Sequence, residues 1–493
     1  MNITASFLLS AYILNFIFIV YILFFERNDS ARRFSWLLAI AFIPIIGISL
    51  YVLFSGNFFT RPKRMLKANE KANEFFRKTL AKQQKNLDIL IKNGDNQTLD
   101  DYGPLIHMNL LYGKSPVFSG NSIHIFKSGE EKYKCLFKEL SLAKDTIHLS
   151  YFTINNDETG RELVSILTQK ANEGISVKLL YDYVGSLRTS SRLFKPLLKA
   201  GGQVSRFFPV SILVPFTVNY RNHRKLVIID GHAGYFGGMN IGDEYANRNH
   251  ARPYYWRDTH VRVTGHAVAL LQKQFLVDWY TSHYGAPLNL EEIQIIRYFP
   301  DPTDMDETGT KNVTMQIVSA GPDDMRNDEI RDAMTLMISL AKKSVYIETP
   351  YFTPDTVFFT ALKIAALSGK DVRVIVPGNW DKWYVKLAAM PFMAELLSYG
   401  VKFYRYHGFI HSKMMVIDGF IATIGSTNID SRSFALHFEL NAFFYSEEFG
   451  NQCAAMFDED QKASDEMNAA WFGRISRIKK ALWNFFKLFA PLL

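Results

Sequence analysis

The sequence predicts an α/β protein that is built from two repeated halves and preceded by two apolar segments. Three observations lead to this prediction. Residues 3–25 and 34–54 carry no charged side chain. Strand–helix–strand patterns occur twice in the remainder, and a polar pattern inside apolar strands recurs after 188 residues.

Composition limits the class of protein. The chain has 493 residues, a formal net charge of +8, 48% hydrophobic residues and 21% charged residues. These values are typical of large packed cores and exclude wholesale disorder. Cys135 and Cys453 are the only cysteines and form no C-x-x-C pair, which excludes a disulfide framework, a zinc ribbon and a thioredoxin-like site.

The two apolar runs predict a transmembrane hairpin over residues 1–56. About 20 apolar residues in a helix cross a hydrocarbon core of about 30 Å, so each run is long enough. A cleaved signal peptide is the alternative for the first run. That run lacks a preceding basic region, and a second apolar run follows at once, so the hairpin is favoured.

Basic residues near the span ends predict the orientation of the hairpin. Three lie in the connecting loop and five follow the second run, namely Arg27, Arg32, Arg33, then Arg61, Lys63, Arg64, Lys67 and Lys71. The N-terminal tail has none. Because cytoplasmic flanks are enriched in lysine and arginine, the rest of the chain is expected on the cytoplasmic side.

Residues 57–110 are predicted to form a basic juxtamembrane linker. The stretch Lys67–Phe76 is rich in charged residues that favour helix, which predicts a helix or stalk. Its basic side chains would contact anionic lipid headgroups at about 1 kcal/mol each. A solvated linker is the alternative.

The next 360 or so residues contain an internal repeat. A strand, a helix and a second strand are predicted in each half, at 146–153, 160–172 and 175–181, and again at 344–353, 357–367 and 372–376. The triplet Tyr-Phe-Thr closes the first strand in both, at 151–153 and 351–353. The pattern favours βαβ units and a mainly parallel sheet in each half. The halves are placed at 111–300 and 301–470, and the acidic stretch Asp301–Asp306 is interpreted as their linker rather than as a metal site.

A stronger repeat is the pattern H-x-K-x-x-x-x-D. Four pairs of residues are each 188 positions apart: His223 and His411, Lys225 and Lys413, Asp230 and Asp418, Asn240 and Asn428. A lone histidine in a strand is more often structural than catalytic. A lysine two positions along, repeated at a fixed offset, favours function. His107, His260 and His437 lack this support and are interpreted as structural.

This pattern, followed by G-G/S-x-N, resembles the signature of the phospholipase D superfamily. The whole layout, including the apolar pair with Pro44-Ile-Ile-Gly47, resembles the bacterial cardiolipin synthases of that superfamily. The resemblance implies two sandwich-like α/β halves around a pseudo-twofold axis, with one active site at their interface. It also implies a multi-pass protein of the bacterial cell membrane, with the catalytic part on the cytoplasmic side.

The residue types suit phosphodiester chemistry. A histidine and a lysine two positions apart in a strand project from the same face. Two lysines neutralise the phosphodiester anion, while one histidine attacks phosphorus and the other transfers protons. Further hydrogen bonds are expected from Asn240, Asn428 and Ser426, and from the backbone amides of Gly237, Gly238 and Gly425. Gly238 stands where the second copy has Ser426, so the halves are not chemically equal.

Supporting roles follow from the resemblance. Each imidazole needs an acceptor at its far ring nitrogen. Glu439 resembles the acidic partner of the family, and Asp258 is its expected counterpart in the first half. Asp230 and Asp418 belong to the catalytic signature but are expected to act in folding. The resemblance favours His223 as nucleophile and His411 as general acid and base, although spacing alone leaves both open.

No cofactor and no metal are predicted. Gly113-Lys-Ser115 resembles the end of a P-loop, but Met108 occupies the required upstream glycine position, so ATP use is rejected. Lysine and histidine already supply the charge and the proton transfers.

Residues 471–493 are predicted to form an amphipathic helix. Six apolar side chains fall within an arc of about 100°, namely Ile475, Ile478, Leu482, Phe485, Phe486 and Phe489. Three basic residues point largely the other way: Arg477, Lys480 and Lys487. An interfacial helix on an anionic bilayer is favoured, and docking on the catalytic body is the alternative.

The chemistry allows phosphatidyl transfer, phospholipid hydrolysis or cleavage of nucleic acid. Much of the basic excess flanks the apolar segments, which favours lipid partners over nucleic acid. The resemblance favours conversion of two phosphatidylglycerols into cardiolipin and glycerol through a phosphohistidine. A membrane-bound phospholipase D that releases phosphatidic acid is the alternative. A non-enzymatic scaffold would require both motif copies to be relics, yet both are complete. The sequence leaves open whether the chain forms a homo-oligomer.

Overall fold

A computed structural model describes residues 3–25, 30–54, 63–85, 101–209, 219–248, 253–282, 295–301, 309–322 and 328–490. The chain forms two compact units, one of Met1–Pro62 with Phe208–Tyr220 and one of Lys63–Phe207 with Arg221–Leu493. Arg27 and Arg61 of the predicted flanks, and most of the acidic linker after Asp301, lie outside the described residues.

The first unit contains helices α1 (Ile3–Phe25), α2 (Ser30–Phe42) and α3 (Pro44–Phe54). The run at 34–54, predicted as one span, is divided between α2 and α3. Proline has no N–H group to donate, so Pro44 is suited to the first position of a new helix. Within the described part of the chain, no helix combines the length and the apolar character needed to cross a membrane.

The second unit begins with two helices and the first half of the repeat. Its elements are α4 (Lys63–Lys85), α5 (Gly103–Leu111), β1 (Phe118–Phe126), α6 (Gly129–Leu142), β2 (Thr146–Tyr151), α7 (Glu158–Asn172), β3 (Ser176–Asp182), α8 (Lys195–Lys199), β4 (Gln203–Phe207), β5 (Leu226–Ile229), β6 (Ala233–Gly237), β7 (Trp256–Arg257), β8 (His260–Thr264), α9 (Val268–Ser282) and α10 (Ile295–Tyr298).

The second half follows the same plan. Its elements are β9 (Thr310–Ala320), α11 (Glu329–Leu340), β10 (Ser344–Glu348), β11 (Phe352–Thr353), α12 (Thr356–Leu367), β12 (Asp371–Pro377), α13 (Trp383–Ser398), β13 (Lys402–Tyr406), β14 (Phe409–Ile410), β15 (Met414–Ile417), β16 (Ile421–Gly425), β17 (Ile429–Asp430), α14 (Ser431–Ala435), β18 (Glu439–Tyr445), α15 (Glu447–Lys462), β19 (Ser464–Met467), α16 (Ala469–Gly473) and α17 (Arg477–Lys487).

Both halves contribute to one sheet, which among the described residues has 15 strands in the order β19-β13-β12-β10-β15-β16-β18-β9-β1-β8-β6-β5-β2-β3-β4. β1 and β9 are adjacent and antiparallel. Outward from β1 and from β9 the strands follow the same order, with β19 as an additional edge strand in the second half. A pseudo-twofold axis therefore passes between β1 and β9. The prediction of two repeated α/β halves is confirmed.

The expectation of a mainly parallel sheet is wrong. Among the described residues, the 15-stranded sheet has parallel pairing only within β2-β3-β4 and within β10-β12-β13. Strands joined by short turns, such as β5 with β6 and β15 with β16, are antiparallel. Short turns force antiparallel pairing, whereas the helical crossovers through α7 and α12 permit parallel pairing.

The Tyr-Phe-Thr triplets are not structurally equivalent. Two parallel pairings set the register, Ile154 with Ile241 and Phe352 with Ile429. Positions 241 and 429 are the same place in the repeat, so Thr153 corresponds to Tyr351. The two Tyr-Phe-Thr sequences are therefore shifted by two positions relative to each other in the aligned halves.

Helix α4 packs against the rest of the second unit. Phe76 and Leu80 are buried, and the ring of Phe76 lies 6.4 Å from that of Phe299. The side chain of Gln83 exchanges two hydrogen bonds with the backbone of Val117, at 2.7 and 2.8 Å. This part of the predicted linker is thus a docked helix, and not a solvated connection.

The core of the first half lies between the sheet and helices α6 and α7. Leu136 and Leu140 on α6, Leu163 and Leu167 on α7, and Leu149 on β2 have no exposed surface. The four-residue spacing on each helix places both leucines on the face toward the sheet. This packing fixes the strand ends from which the polar motif projects.

Candidate active site

The two histidine–lysine pairs lie just outside the strands to which the sequence assigned them. β5 begins at Leu226 and β15 at Met414, so each pair occupies an extended segment before its strand. Both imidazoles are almost closed off from solvent, His223 at 8% exposure and His411 at 7%.

These segments leave the main sheet because each pairs with the opposite half. Asn222 forms a parallel bridge with Phe438, and β14 pairs in parallel with β7. The backbone N–H of His223 donates to the carbonyl of Phe438 at 2.9 Å, and that of His411 donates to the carbonyl of Arg257 at 2.6 Å. The residue before each acidic residue therefore positions the histidine of the other half.

The carboxylates complete this exchange between the halves. His223 Nδ1 lies 3.0 Å from Glu439 Oε1, and His411 Nδ1 lies 2.6 Å from Asp258 Oδ2. Both carboxylates are buried. A carboxylate at Nδ1 favours the tautomer with its proton there, which leaves the Nε2 lone pair for the substrate. The sequence identified both acids, and the structure assigns each one to a histidine.

The surroundings of both imidazoles lower their pKa values, which favours the neutral forms. Burial and the charge of Lys413 lower the pKa of His411 to about 4, against the opposing effect of Asp258. Burial, followed by the charges of Lys225 and Lys413, lowers the pKa of His223 well below its usual value. Burial would raise the pKa of Asp258, but His411 and Lys413 together lower it, so this carboxylate is ionised.

The two lysines are fixed by their own segments. Lys225 Nζ donates to the carbonyl of His223 at 2.6 Å, and Lys413 Nζ donates in the same way to the carbonyl of His411. Burial lowers the pKa of Lys413 to about 8 and that of Lys225 well below its usual value. A poorly solvated ammonium group gains strongly from an anion, so this pair is suited to a phosphodiester.

The asparagines differ in their contacts. Asn240 accepts from the backbone N–H of Thr153 at 3.2 Å and donates to the hydroxyl of Tyr245 at 3.0 Å. Asn428 is buried, and its Oδ1 has no hydrogen-bond partner among the described residues. The second half therefore has the amide with spare hydrogen-bonding capacity.

Two of the three expected backbone donors are already used within the fold. The N–H of Gly238 donates to the carbonyl of Thr259 at 2.9 Å, and that of Gly425 to the carbonyl of Lys413 at 3.3 Å. These two amides, which the sequence assigned to the phosphate, therefore donate to the backbone of the protein instead. Ser426 acts on the carboxylate, because its hydroxyl donates to Glu439.

The Gly238/Ser426 difference follows from how each carboxylate is held. A Cβ atom at position 238 would lie 2.1 Å from Asp258 Oδ1, so only glycine fits there. In the second half Ser426 fills the equivalent position and hydrogen-bonds Glu439.

Asp230 and Asp418 lie at the strand ends away from the imidazoles. Each accepts from three consecutive backbone N–H groups, Asp230 from residues 144–146 and Asp418 from residues 342–344. Both have positive φ angles, 53° and 55°, which aspartate tolerates better than most residues. Each carboxylate joins the turn that it begins to the start of a neighbouring strand, β2 or β10, and contacts neither histidine in the described structure.

Two buried arginines next to the site were missed in the sequence. Arg224, between His223 and Lys225, pairs with Asp278 at 2.7 Å. Arg257, beside Asp258, pairs with Asp460 at 2.7 Å. Arg224 thereby connects its segment to α9, and Arg257 connects its segment to α15. Their positions directly beside the proposed site residues were the signal that could have identified both arginines.

His437, interpreted as structural, lies beside the site. Its ring centroid is 5.6 Å from that of His223, and its Nδ1 is 3.7 Å from Glu439 Oε1. The equivalent place beside His411 is taken by Trp256, whose ring is 5.2 Å away. Among the described residues, His223, His437 and Glu439 form a group able to hold a metal ion.

Of the aromatic residues near the motif, Trp256 is part of the site wall. Its ring lies edge-on to Phe409 and is tilted against His411, with centroids 4.5 and 5.2 Å away. Phe152 lies against His223, with ring centroids 5.1 Å apart. Phe352 instead packs against Phe403 in the core.

Comparisons with known proteins agree with this architecture. The family model described as "Cardiolipin synthase, PLD-like domain" matches residues 136–279 and 334–461, which include both motif copies. The model described as "Phospholipase_D-nuclease N-terminal" matches residues 13–56.

Curated relatives match over almost the whole chain. The major cardiolipin synthase ClsA of Bacillus subtilis is 39% identical over 93% of this chain and 93% of its own length. The cardiolipin synthase of Listeria innocua is 37% identical over the full length of both chains. That of Staphylococcus aureus is 37% identical over 99% of this chain and 97% of its own.

A solved structure shares the fold. Phosphatidylserine synthase of Haemophilus influenzae superposes with a TM-score of 0.59 at 16% identity, covering 80% of this chain and 98% of that one. The family model and the curated relatives at 37–39% identity establish the family. The chain belongs to the cardiolipin synthases of the phospholipase D superfamily.

Proposed function

We infer that this chain is a phosphatidyltransferase that converts two phosphatidylglycerols into cardiolipin and glycerol. One observation carries the proposal: two neutral imidazoles, each held by a buried carboxylate of the opposite half, meet beside two buried lysines. Similarity over the full chain to cardiolipin synthases gives the substrate class.

In the first step, His223 Nε2 attacks phosphorus of one phosphatidylglycerol. The bond from phosphorus to the glycerol oxygen breaks, and His411 gives that oxygen a proton. The bound phosphodiester supplies the negative charge that raises the proton affinity of His411. Free glycerol and a phosphatidyl group on His223 result.

In the second step, the headgroup hydroxyl of another phosphatidylglycerol approaches phosphorus. His411, now neutral, takes the proton of that hydroxyl as the oxygen attacks. The phosphorus–nitrogen bond breaks, cardiolipin leaves and His223 regains its lone pair. One phosphodiester bond is broken and one is formed, so no ATP is consumed.

The surroundings of the two histidines support this assignment of roles. Burial and two ammonium groups lower the pKa of His223, which favours the unprotonated nucleophile. Asp258 opposes the lowering at His411 by charge and by hydrogen bond, so His411 takes a proton more readily. Glu439 also accepts from Ser426, which spreads its charge over two donors.

Membrane attachment is proposed for both ends of the chain. The apolar helices of the first unit would anchor it, and the basic flanks favour a cytoplasmic catalytic body. A reporter fused after Leu493 should then behave as cytoplasmic, as should one placed before Ile3. A periplasmic or extracellular result for the C-terminal fusion would reverse the topology.

Helix α17 fits both of the predicted alternatives at once. Trp483 is buried, and Phe486 contacts Trp383 of α13 with ring centroids 5.4 Å apart. On the other side, Ile478 is 85% exposed and Phe485 54% exposed. The helix predicted over residues 471–493 is interrupted after Gly473, where α16 ends, and α17 covers Arg477–Lys487. We expect the exposed face to contact anionic lipid, so a photoreactive lipid in phosphatidylglycerol vesicles should label α17 of the reconstituted enzyme. Phe485→Glu should reduce that labelling.

The decisive assay supplies purified full-length enzyme with phosphatidylglycerol alone. Cardiolipin and glycerol should appear in equal amounts with little phosphatidic acid. Phosphatidic acid as the main product would establish the hydrolase alternative. His223→Asn should abolish both outcomes, which excludes a contaminating activity.

A further inference from the structure

We propose that His223, His437 and Glu439 form an inhibitory site for a zinc-like transition metal. The inhibition rests on the proposed role of His223 as nucleophile, whereas the metal site itself rests on geometry alone. Catalysis as described above needs no metal, so the site would regulate the reaction and would not take part in it.

The three donor atoms are spaced for one ion. One ligand atom from each residue lies within 4.8 Å of the other two. Glu439 Oε1 is 3.0 Å from His223 Nδ1 and 3.7 Å from His437 Nδ1. Zinc bonds of about 2.0–2.2 Å in a tetrahedron place neighbouring ligands about 3.4 Å apart. The two measured separations lie on either side of that value.

His437 has an unused donor atom at this place. Its Nδ1 is buried and has no hydrogen-bond partner among the described residues. A buried polar atom without a partner is costly, and a metal ion would satisfy it. The other two ligands, His223 and Glu439, already contact each other, and Glu439 is fully buried.

The ligand set selects the class of metal. Two imidazoles and one carboxylate are a zinc set that leaves the fourth position open for water or a substrate oxygen. The ammonium groups of Lys225 and Lys413 disfavour hard cations such as Mg²⁺, which bind mainly through charge and oxygen ligands. Nitrogen donors favour zinc and its neighbours instead.

Metal at this place would change the tautomer of His223. A neutral imidazole has one N–H, which Glu439 holds at Nδ1. A metal ion on Nδ1 requires that proton to move to Nε2, where the attacking lone pair would otherwise be. The imidazole keeps its single proton, but with that proton on Nε2 His223 can no longer form the bond to phosphorus.

The other half provides an internal contrast. Trp256 occupies the place beside His411 that His437 occupies beside His223. Indole offers no metal ligand, so the site would form in one half only. The metal would therefore act on the proposed nucleophile and not on the proton carrier.

The first experiment measures cardiolipin formation by full-length enzyme in phosphatidylglycerol vesicles at buffered free Zn²⁺. Each variant is compared with its own rate without metal. His437→Asn removes a ligand, His437→Cys retains one, and His407→Asn changes an exposed histidine that pairs with Asp465. His437→Asn should need at least about tenfold more Zn²⁺ for half inhibition. His437→Cys and His407→Asn should remain sensitive, and EDTA should restore the native rate.

A second measurement is independent of activity. Competition with a chromogenic chelator counts Zn²⁺ bound by the native protein and by each variant, and thermal unfolding checks their folding. One equivalent should be lost in folded His437→Asn. Equal binding and equal inhibition in native and His437→Asn proteins would overturn the inference. So would the absence of Zn²⁺ binding while cardiolipin is still formed. Zn²⁺ binding without cardiolipin formation would refute only the proposed function.

Discussion

His411 Nδ1 lies 2.6 Å from Asp258 Oδ2, although the two residues come from opposite halves of the repeat. His223 and Glu439 mirror this contact at 3.0 Å. Neither half therefore contains a complete histidine–carboxylate pair. On the proposed mechanism, association of the halves, which pair through β1 and β9, is therefore required for catalysis.

Loss of either carboxylate should disable the enzyme. Asp258→Asn and Glu439→Gln keep the shape but remove the charge that fixes the tautomer and stabilises the imidazolium. We expect each to lower the rate of cardiolipin formation by about 10³- to 10⁴-fold. Asp465→Asn, at an exposed ion pair, is the matched control and should stay near the native rate. A loss below about tenfold in Asp258→Asn or Glu439→Gln would contradict the assigned roles.

The phosphatidyl adduct should form on His223. With His411→Asn the second step lacks its base, so a phosphatidyl group on His223 should accumulate if the first step proceeds slowly. His223→Asn should yield no adduct. Mass spectrometry of peptides after incubation with phosphatidylglycerol locates the phosphate. Its presence on His411 in the native enzyme would exchange the two roles and leave the two-histidine mechanism intact.

The alkaline limb of the pH profile should report Lys413. Burial lowers its pKa to about 8, so the ammonium that attracts the phosphodiester is lost as pH rises through that value. Since kcat/KM reflects ionisations of the free enzyme, it should fall above pH 8. Lys413→Arg keeps its charge throughout and should lack this limb, even at a lower overall rate. An unchanged limb in that variant would assign it to another group.

Asp230 and Asp418 should affect stability more than chemistry. Replacing either by alanine leaves three backbone N–H groups without their acceptor and should cost about 2 kcal/mol of unfolding free energy. Asparagine tolerates the positive φ angle and keeps one acceptor oxygen, so it should lose less. Thermal unfolding in detergent measures the difference. A large fall in kcat of the folded fraction would place these residues in the catalytic machinery.

Activity should survive removal of divalent metals. Lysine and histidine perform the charge stabilisation and proton transfer in the proposed mechanism, so EDTA should leave the rate unchanged or raise it slightly. Loss of activity on chelation, restored by a divalent ion, would refute the metal-free mechanism. The measurement is the initial rate before and after dialysis against the chelator.

The repeat and its polar residues could be predicted because they depend on local pattern. A histidine and a lysine two positions apart, with an aspartate before a glycine turn, mark the same strand end in both halves. The 188-residue offset between His223 and His411 needs no tertiary information. The same holds for the two apolar runs, although the division of the second run into α2 and α3 at Pro44 was not predicted.

The partners of these residues could not be predicted, because they depend on how distant segments meet. Glu439 follows His411 by 28 positions, yet it holds His223, since the parallel bridge of Asn222 with Phe438 joins the two halves there. His437 was interpreted as structural because it has no lysine two positions along, and only the tertiary structure brings it beside His223. The sequence by itself thus determined which chemical groups the protein has and that they recur at equivalent places in the two halves. Only the tertiary structure decided which groups touch, because pairing across a pseudo-twofold axis exchanges partners that chain order keeps apart.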